Sequence, residues 1–427
     1  MLSTLRNAWK TPDLRKKILW TVFLVAIFRI GSHIPVPGID TSKILKQVTE
    51  GSGSLIKFYD LIAGGSLSRF SIFAIGVGPY INASIIMQLL TVAIPKLEQL
   101  QKEGDDGRKK IQNITRYLSI PLSVVLAWAV YVTLHNANAL TDLSVINIIV
   151  ILGTLTVGAM FSMWLGDRIT VRGLGNGVSL LILVNIVSKI PAMFNQVASL
   201  KKTESIDVVQ AALLIVGVIL VLFLVVYLSL AERRIPVQYA GKAVGAKTYK
   251  GQSTHIPFSL IGTAVIAIIF AMSVMEFPKV IAQFFADKSW AQAILTGKYS
   301  PFNESKWWYL VLYAFLTIFF TWFYTEITFK PDEMAENMNK SAGFIPGVRP
   351  GKQTEIYLEK VLGKISLFGG IFAALIAILP IILEQHTAFK NIGLSGTSML
   401  ILVSVSLEIS RQLKSQLIMR HYDGFLN

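Results

Sequence analysis

Glycine, carboxylate and histidine groupings are where this chain could hold a reactive site. The run Gly173-Leu174-Gly175-Asn176-Gly177 has the composition of a phosphate cradle. It opens an apolar run instead of following a strand, so it does not read as a dinucleotide fingerprint. No G-x-x-x-x-G-K-[ST] occurs, so there is no P-loop for ATP phosphates. Neither H-E-x-x-H nor G-x-S-x-G occurs. His33, His135, His255, His386 and His421 lie at the ends of apolar runs or between them, with no i,i+4 pair, so no histidine metal site is expected. There is no cysteine, which excludes disulfides, thiol catalysis and thiolate metal sites. Glu276, Glu326 and Glu408 sit toward run ends, and no carboxylates pair at helical spacing within a run. The expectation is a protein that is not an enzyme and needs no cofactor. Energy for its work must come from another component or an ion gradient.

The elements that would position these residues are set by composition. Of 427 residues, 53% are hydrophobic and 15% charged, against about 25% charged in soluble domains. Mean hydropathy is +0.57. The apolar runs are unbroken, unlike the alternating ten-residue segments of a membrane barrel, and predict an all-α integral membrane protein. Ten spans are expected: Ile18–Ile34, Ser71–Ile94, Ile114–Leu134, Ile146–Leu165, Asn176–Phe194, Val208–Leu230, Pro257–Phe285, Trp307–Thr328, Ile365–Leu383 and Ile392–Ile409. The net charge is +15. Most Lys and Arg fall in segments on one side of this topology, which by the positive-inside rule puts both termini in the cytoplasm. That bias explains the charge without nucleic acid.

Residues 1–17 carry Arg6, Lys10, Arg15, Lys16 and Lys17, with Leu2, Leu5 and Trp9 at helical spacing. They read as a cytoplasmic amphipathic segment. A basic start before an apolar run also resembles a signal peptide, but no small-residue cleavage site follows, so the segment is expected to be retained. Spans one to five occupy 18–194 and spans six to ten 195–411, followed by a cytoplasmic tail, 412–427. An odd number per half inverts the second half in the bilayer. The two longest inside loops, 232–256 and 330–361, are basic and rich in Gly and Pro, and read as docking surfaces or as solvated connectors. Segment 60–70 contains Gly64-Gly65-Ser66 and Arg69 and is too short and polar to span. It reads either as a re-entrant plug lining a channel mouth or as an amphipathic outside loop. Arg29, inside the first run, either faces protein or snorkels outward.

Several motifs resemble the SecY family of translocon subunits in order and nearly over the whole chain. They are Arg29-Ile30-Gly31-Ser32-His33-Ile34-Pro35-Val36-Pro37-Gly38 in the first span and Gly64-Gly65-Ser66-Leu67-Ser68-Arg69 in the plug. Pro79-Tyr80-Ile81-Asn82-Ala83-Ser84-Ile85-Ile86-Met87-Gln88-Leu89-Leu90 marks the second span and Gly175-Asn176-Gly177-Val178-Ser179 the fifth. Gln252-Ser253-Thr254-His255-Ile256-Pro257 and Gly347-Val348-Arg349-Pro350-Gly351 lie in the two large loops, and Gly396-Thr397-Ser398 in the tenth span. The resemblance is bacterial in type.

The resemblance implies an hourglass channel in two inverted five-helix halves with a short re-entrant plug helix. Its constriction would be a pore ring of Val77, Ile81, Val178, Ile182, Ile269 and Ile401. Asp60, Gly64, Gly65, Ser66, Leu67, Ser68 and Arg69 would belong to the plug. Spans two and three would part from seven and eight as a lateral gate. Implied partners are SecE-type and SecG-type subunits, the SecA motor ATPase, the ribosome, signal peptides of secretory proteins and membrane lipids, with docking at Arg349, Lys247 and Lys250. The implied location is the bacterial cytoplasmic membrane. There are departures. Ala267 stands where many bacterial members have proline, Ala246-Lys247 where they carry a basic pair, and Glu276 is an unusual acid. The competing expectation is an inverted-repeat secondary transporter of a small solute, with a broken-helix site near Gly76–Pro79; a passive scaffold is a third.

Overall fold

A computed structural model describes residues 6, 8–39, 66, 69–136, 140, 142, 144–202, 208–239, 243–244, 247–248, 253–285, 288–297, 300–303, 306–386 and 396–426. In chain order the elements are α1 (Pro12–Gly31), α2 (Gly78–Ala93), α3 (Pro95–Lys102), α4 (Asp105–Asn136), α5 (Val145–Arg172), α6 (Gly177–Lys202) and α7 (Val208–Leu230). Then follow strands β1 (Glu232–Tyr239), β2 (Ala243–Val244), β3 (Lys247–Thr248) and β4 (Ser253–Ser259). The chain continues with α8 (Ala264–Phe284), α9 (Ser289–Thr296), α10 (Trp307–Phe329), α11 (Pro331–Lys340), β5 (Gly343–Phe344), α12 (Lys352–His386) and α13 (Gly396–Leu426).

Each of the ten expected spans falls on a helix, namely α1, α2, α4 to α8, α10, α12 and α13. By length and composition alone, five helical stretches among the described residues could cross a membrane, and α2 with α3 would make a sixth. Apolar side chains cover the outside of the bundle. Val209, Leu213, Val216, Ile219 and Phe223 of α7 are all largely exposed. Such a continuous apolar exterior is stable only against lipid.

Packing repeats between the halves. α2 packs on α4, α4 on α5 and α5 on α6; in the same order α8 packs on α10, α10 on α12 and α12 on α13. α6 meets α13, and α8 meets α4, so the halves touch on two sides. Small residues set the closest approaches, as expected where lipid supplies no hydrophobic drive between helices. A Cβ at Gly158 of α5 would run into the Ile72 carbonyl, and one at Gly396 of α13 into the Ile376 carbonyl. On α10, Thr317, Thr321 and Thr325 are buried, and their hydroxyls donate to carbonyls one turn back at 2.8, 2.7 and 2.7 Å. This keeps polar groups satisfied on a face that Gly370 of α12 approaches closely.

Several expected boundaries differ, and α4 and α12 begin earlier than their apolar runs, at Asp105 and Lys352. Ser71–Val77 is not helical: Ser71 bridges Pro35, Gly76 has φ +56°, and Pro79 stands at the start of α2. Pro257–Ser259 belongs to β4, not to the seventh span. Both long inside loops are folded, which the apolar-run reading did not predict. β1 pairs antiparallel with β4 from Glu232↔Ser259 to Gln238↔Ser253, and with β5 at its far end. Ile235 and Val237 alternate inward and pack with Phe258, Met338, Ile345, Leu358 and Leu362. One apolar core therefore joins the sheet, α11 and the first turns of α12.

The Gly158→Ala substitution places a methyl against backbone that cannot yield and is expected to destabilise the protein by roughly 1–3 kcal/mol. Gly153→Ala on the same helix meets nothing within 4 Å and is expected to leave stability unchanged or slightly raised. Thermal unfolding of the two variants in detergent checks the contrast.

Candidate functional site

The structure brings Val77, Ile81, Val178, Ile182, Ile269 and Ile401 into one apolar cluster. Val77, Ile182 and Ile401 are buried at 1%, 5% and 7% exposure, while Ile81, Val178 and Ile269 are partly buried. They come from four helices, two in each half: the start of α2, the first turns of α6, the second turn of α8 and the second turn of α13. Val77 is the residue just before α2, and Ile81 donates its N–H to the Val77 carbonyl at 3.1 Å. The two side chains therefore stand one turn apart.

The glycine run positions Val178 and Ile182. Gly175 takes φ +73° in the turn between α5 and α6. The Asn176 side chain accepts from the N–H groups of Val178 and Ser179 at 3.1 and 3.2 Å, capping α6. A Cβ at Gly177 would strike the Gly166 carbonyl, and Gly166 itself lies against Val178. Gly177 N–H donates to Thr170 Oγ1 at 2.8 Å. These glycines bring two helices together; they do not cradle phosphate. Beside the cluster, Phe28 and Phe73 stack at 5.3 Å, and Phe73 stacks on Phe161 at 5.9 Å.

Of the plug residues, Ser66 is buried and Arg69 is exposed. Asp60, Gly64, Gly65, Leu67 and Ser68 lie outside the described residues. The backbone after Arg69 is tied to the end of α1: Val36 N–H donates to the Phe70 carbonyl at 2.8 Å and Ile72 N–H to the Ile34 carbonyl at 2.9 Å. Arg69 Nη1 lies 3.0 Å from His33 Nε2, and His33 Nδ1 lies 2.8 Å from the Arg29 carbonyl. Arg29 itself sits in the last turn of α1.

A cavity of about 1030 Å³ opens between α2, α3 and α4 on one side and α8, α10 and α11 on the other. Tyr80 and Gln88 face Phe270 and Tyr324 across it. Along the same seam Ser273 of α8 donates to Asn82 Oδ1 of α2 at 3.2 Å. Among the described residues no group of three or more His, Cys, Asp or Glu is placed to hold a metal ion.

A family model named SecY matches residues 71–410. The chain is 40% identical to the protein translocase subunit SecY of Streptomyces galbus over 443 residues, covering 100% of both. This chain belongs to the SecY family. Its backbone is similar to a solved structure of a protein conducting channel, with TM-score 0.67, 18% identity and coverage of 94% of this chain and 92% of that one. It is similar also to Sec61 in the canine ribosome-channel complex from the endoplasmic reticulum, with TM-score 0.63, 18% identity and the same coverage. At that identity the two structures show the fold.

In this SecY-family chain Arg349 stands exposed at a stiffened tip beside the sheet. Val348 N–H closes a turn onto the Ile345 carbonyl at 3.0 Å, around Pro346 and Gly347 at φ +84°. Buried Thr354 donates from Oγ1 to the Arg349 carbonyl at 3.0 Å. Lys247 lies in β3, which pairs with β2; Lys250 lies outside the described residues. Glu276 acquires an account that its surroundings in sequence did not supply. Its carboxylate accepts from Lys279 Nζ at 2.9 Å, both side chains being 6% exposed, and Lys279 Nζ lies 5.0 Å from the Tyr309 ring centroid. The i,i+3 spacing was the available signal. Ala267 is fully buried within α8, in the core of the second half.

Lys279→Met leaves a buried carboxylate without its ammonium and is expected to cost roughly 3–5 kcal/mol; Glu276→Leu with Lys279→Met removes both charges and is expected to recover most of that loss. Unfolding midpoints of the two variants in detergent check it. Equal losses would mean that the pair is not coupled.

Proposed function

We propose that this chain is the channel-forming subunit through which unfolded secretory polypeptides cross a bacterial cytoplasmic membrane and from which apolar segments leave sideways into lipid. The observation that carries the reading is the convergence of six aliphatic side chains from both halves into one cluster. In this reading they are the pore ring. A narrow apolar waist resists wetting and so opposes ion flow without a binding site. Aliphatic contacts are weak and undirected, so the same waist yields to any side chain of a passing polypeptide. A solute transporter would instead converge polar or ionisable groups there.

The α2/α4 to α8/α10 seam is the lateral gate in this reading. Its cavity gives an apolar signal segment a place between channel and lipid, where burial stabilises it by about 25 cal/mol per Å² relative to water. Residues 60–70 are the plug, 18–194 and 195–411 are the two inverted halves, and both termini face the cytoplasm. The folded unit of β1, β4, β5, α11 and the start of α12 is a cytoplasmic platform presenting Arg349, with Lys247 on the β2–β3 hairpin and Lys250 three residues further along the sequence. A rigidly held guanidinium suits carboxylates of a motor protein or phosphates of ribosomal RNA. The solved relative in a ribosome-channel complex supports a ribosomal partner. The SecA motor and the SecE-type and SecG-type subunits rest on the family resemblance, and the subunit itself is read as a conduit without catalysis.

Two measurements test this. Ile81→Asn is expected to raise closed-state ion leak at least about tenfold in single-channel recordings, and an arrested secretory chain is expected to crosslink to photoreactive residues at 81 and 182. Absence of both effects refutes the pore ring. Arg349→Glu is expected to reduce motor- or ribosome-driven transport about tenfold while the protein stays folded; wild-type rates in reconstituted vesicles would remove Arg349 from the docking surface.

A further inference from the structure

The mouth of the seam cavity, at the end of the bundle that carries the sheet, has opposite net charge on its two sides. Lys102 and Arg108 line it from α3 and the start of α4; Asp332, Glu333 and Glu336 line it from α11, with the single cation Lys330 at the start of that helix. Each rim continues directly from a seam helix. α3 leaves α2 through a 100° bend. α11 leaves α10 at Lys330, which holds φ +41° and serves both helices as their end residue.

Part of this charge is already engaged on its own side. Glu98 pairs with Lys102 at 2.8 Å, Lys330 with Glu333 at 2.8 Å and Lys340 with Glu336 at 2.7 Å. Arg108 and Asp332 make no ion pair among the described residues, and Asp332 acts across the gap on Lys102. The two rims also sense each other. Glu98 holds the Lys102 ammonium above its ordinary range, and Glu333 and Asp332 from the far rim push it the same way. Lys102 holds Glu98 below the usual carboxylate range, with Lys330 adding to the effect and Asp332 opposing it.

We propose that the basic rim of α3 and α4 and the acidic rim of α11 form an electrostatic latch that holds α2 against α8 and α10 in the closed channel and parts when the seam opens. The inference rests on the channel reading and adds to it a control on gate closure. Attraction between rims is shared among several exposed charges, so each pair shifts the closed–open balance only about twofold to fivefold. The latch is therefore strong enough to bias the gate and weak enough to release. It is also screened by salt, since the Debye length falls from about 10 Å at 0.1 M to about 3 Å at 1 M.

The chain has no cysteine, so Asn82→Cys with Ser273→Cys reports closure of the seam through one unambiguous disulfide in the full-length protein in membrane vesicles. The rate of oxidant-driven crosslinking is the readout. Asp332→Lys with Glu333→Lys is expected to slow it about five- to tenfold at low salt, and Lys102→Glu with Arg108→Glu likewise. Combining the two reversals restores opposite charge and is expected to bring the rate back within about twofold of the starting protein. At about 1 M salt all versions are expected to converge. The milder Asp332→Asn with Glu333→Gln is expected to slow crosslinking about twofold and serves if the reversals do not accumulate in the membrane. Failure of the combined variant to recover, or a rate insensitive to both charge and salt, overturns the latch while leaving the channel reading intact. Slowing by the α11 reversal alone, scaling with the N-terminal charge of an added secretory peptide, would mean that the acidic rim reads the passenger and overturns it too. Absence of crosslinking in every background overturns the seam itself.

Discussion

Irregular backbone at membrane depth survives only if protein supplies every hydrogen bond that water would otherwise make. In this chain that constraint falls on the stretch between α1 and α2. After α1 the N–H groups of Ser32, His33 and Ile34 turn back onto α1 carbonyls, and those of Val36 and Ile72 cross between the two extended segments. Ala74 N–H donates to the Ser71 carbonyl and Phe73 N–H to Ser71 Oγ. With these N–H groups satisfied locally, the backbone can enter α2 late, at Gly78. That late entry places Val77 and Ile81 at the cluster instead of on the lipid-facing surface.

Helix α6 solves a related problem in another way. Val178 and Ile182 reach the same cluster because Gly166 and Gly177 remove the side chains that would separate α5 from α6, and because Asn176 caps α6 where its free N–H groups begin. On α13, Gly396 permits an equally close crossing onto α12, between one and two turns before Ile401 completes the set. Three glycine- or cap-based devices thus bring aliphatic side chains to one place, with no polar group needed at the point of convergence.

Much of this was legible in the residues. Unbroken apolar runs locate ten helices, and the Gly173–Gly177 run marks a crossing even though spacing alone leaves its purpose open. The six aliphatic positions were not legible from periodicity, since Val77, Ile81 and Ile85 repeat as any buried helical face would. Their selection needed family motifs. The sheet was missed for a physical reason. β1 buries only Ile235 and Val237, a two-residue alternation interrupted by Pro236, against a core that takes Phe258 from β4 and its other buried members from about a hundred residues or more further on. The Glu276–Lys279 pair was missed because an acid near an apolar run end is ordinarily solvated, and its burial depends on Tyr309 arriving from another helix.

The 35 residues of α12 would span about 52 Å at 1.5 Å per residue, with Pro380 inside the helix toward its far end. Leu358 and Leu362 at one end are packed into the platform core, and Ala373, Ile376 and Ala377 further along are packed with α8 and α13. No proline lies between these two sets of contacts. In the proposed channel, a push on the platform would therefore be delivered as a tilt to the helices that carry Ile269 and Ile401, so that work done at the platform reaches the apolar cluster by solid transmission.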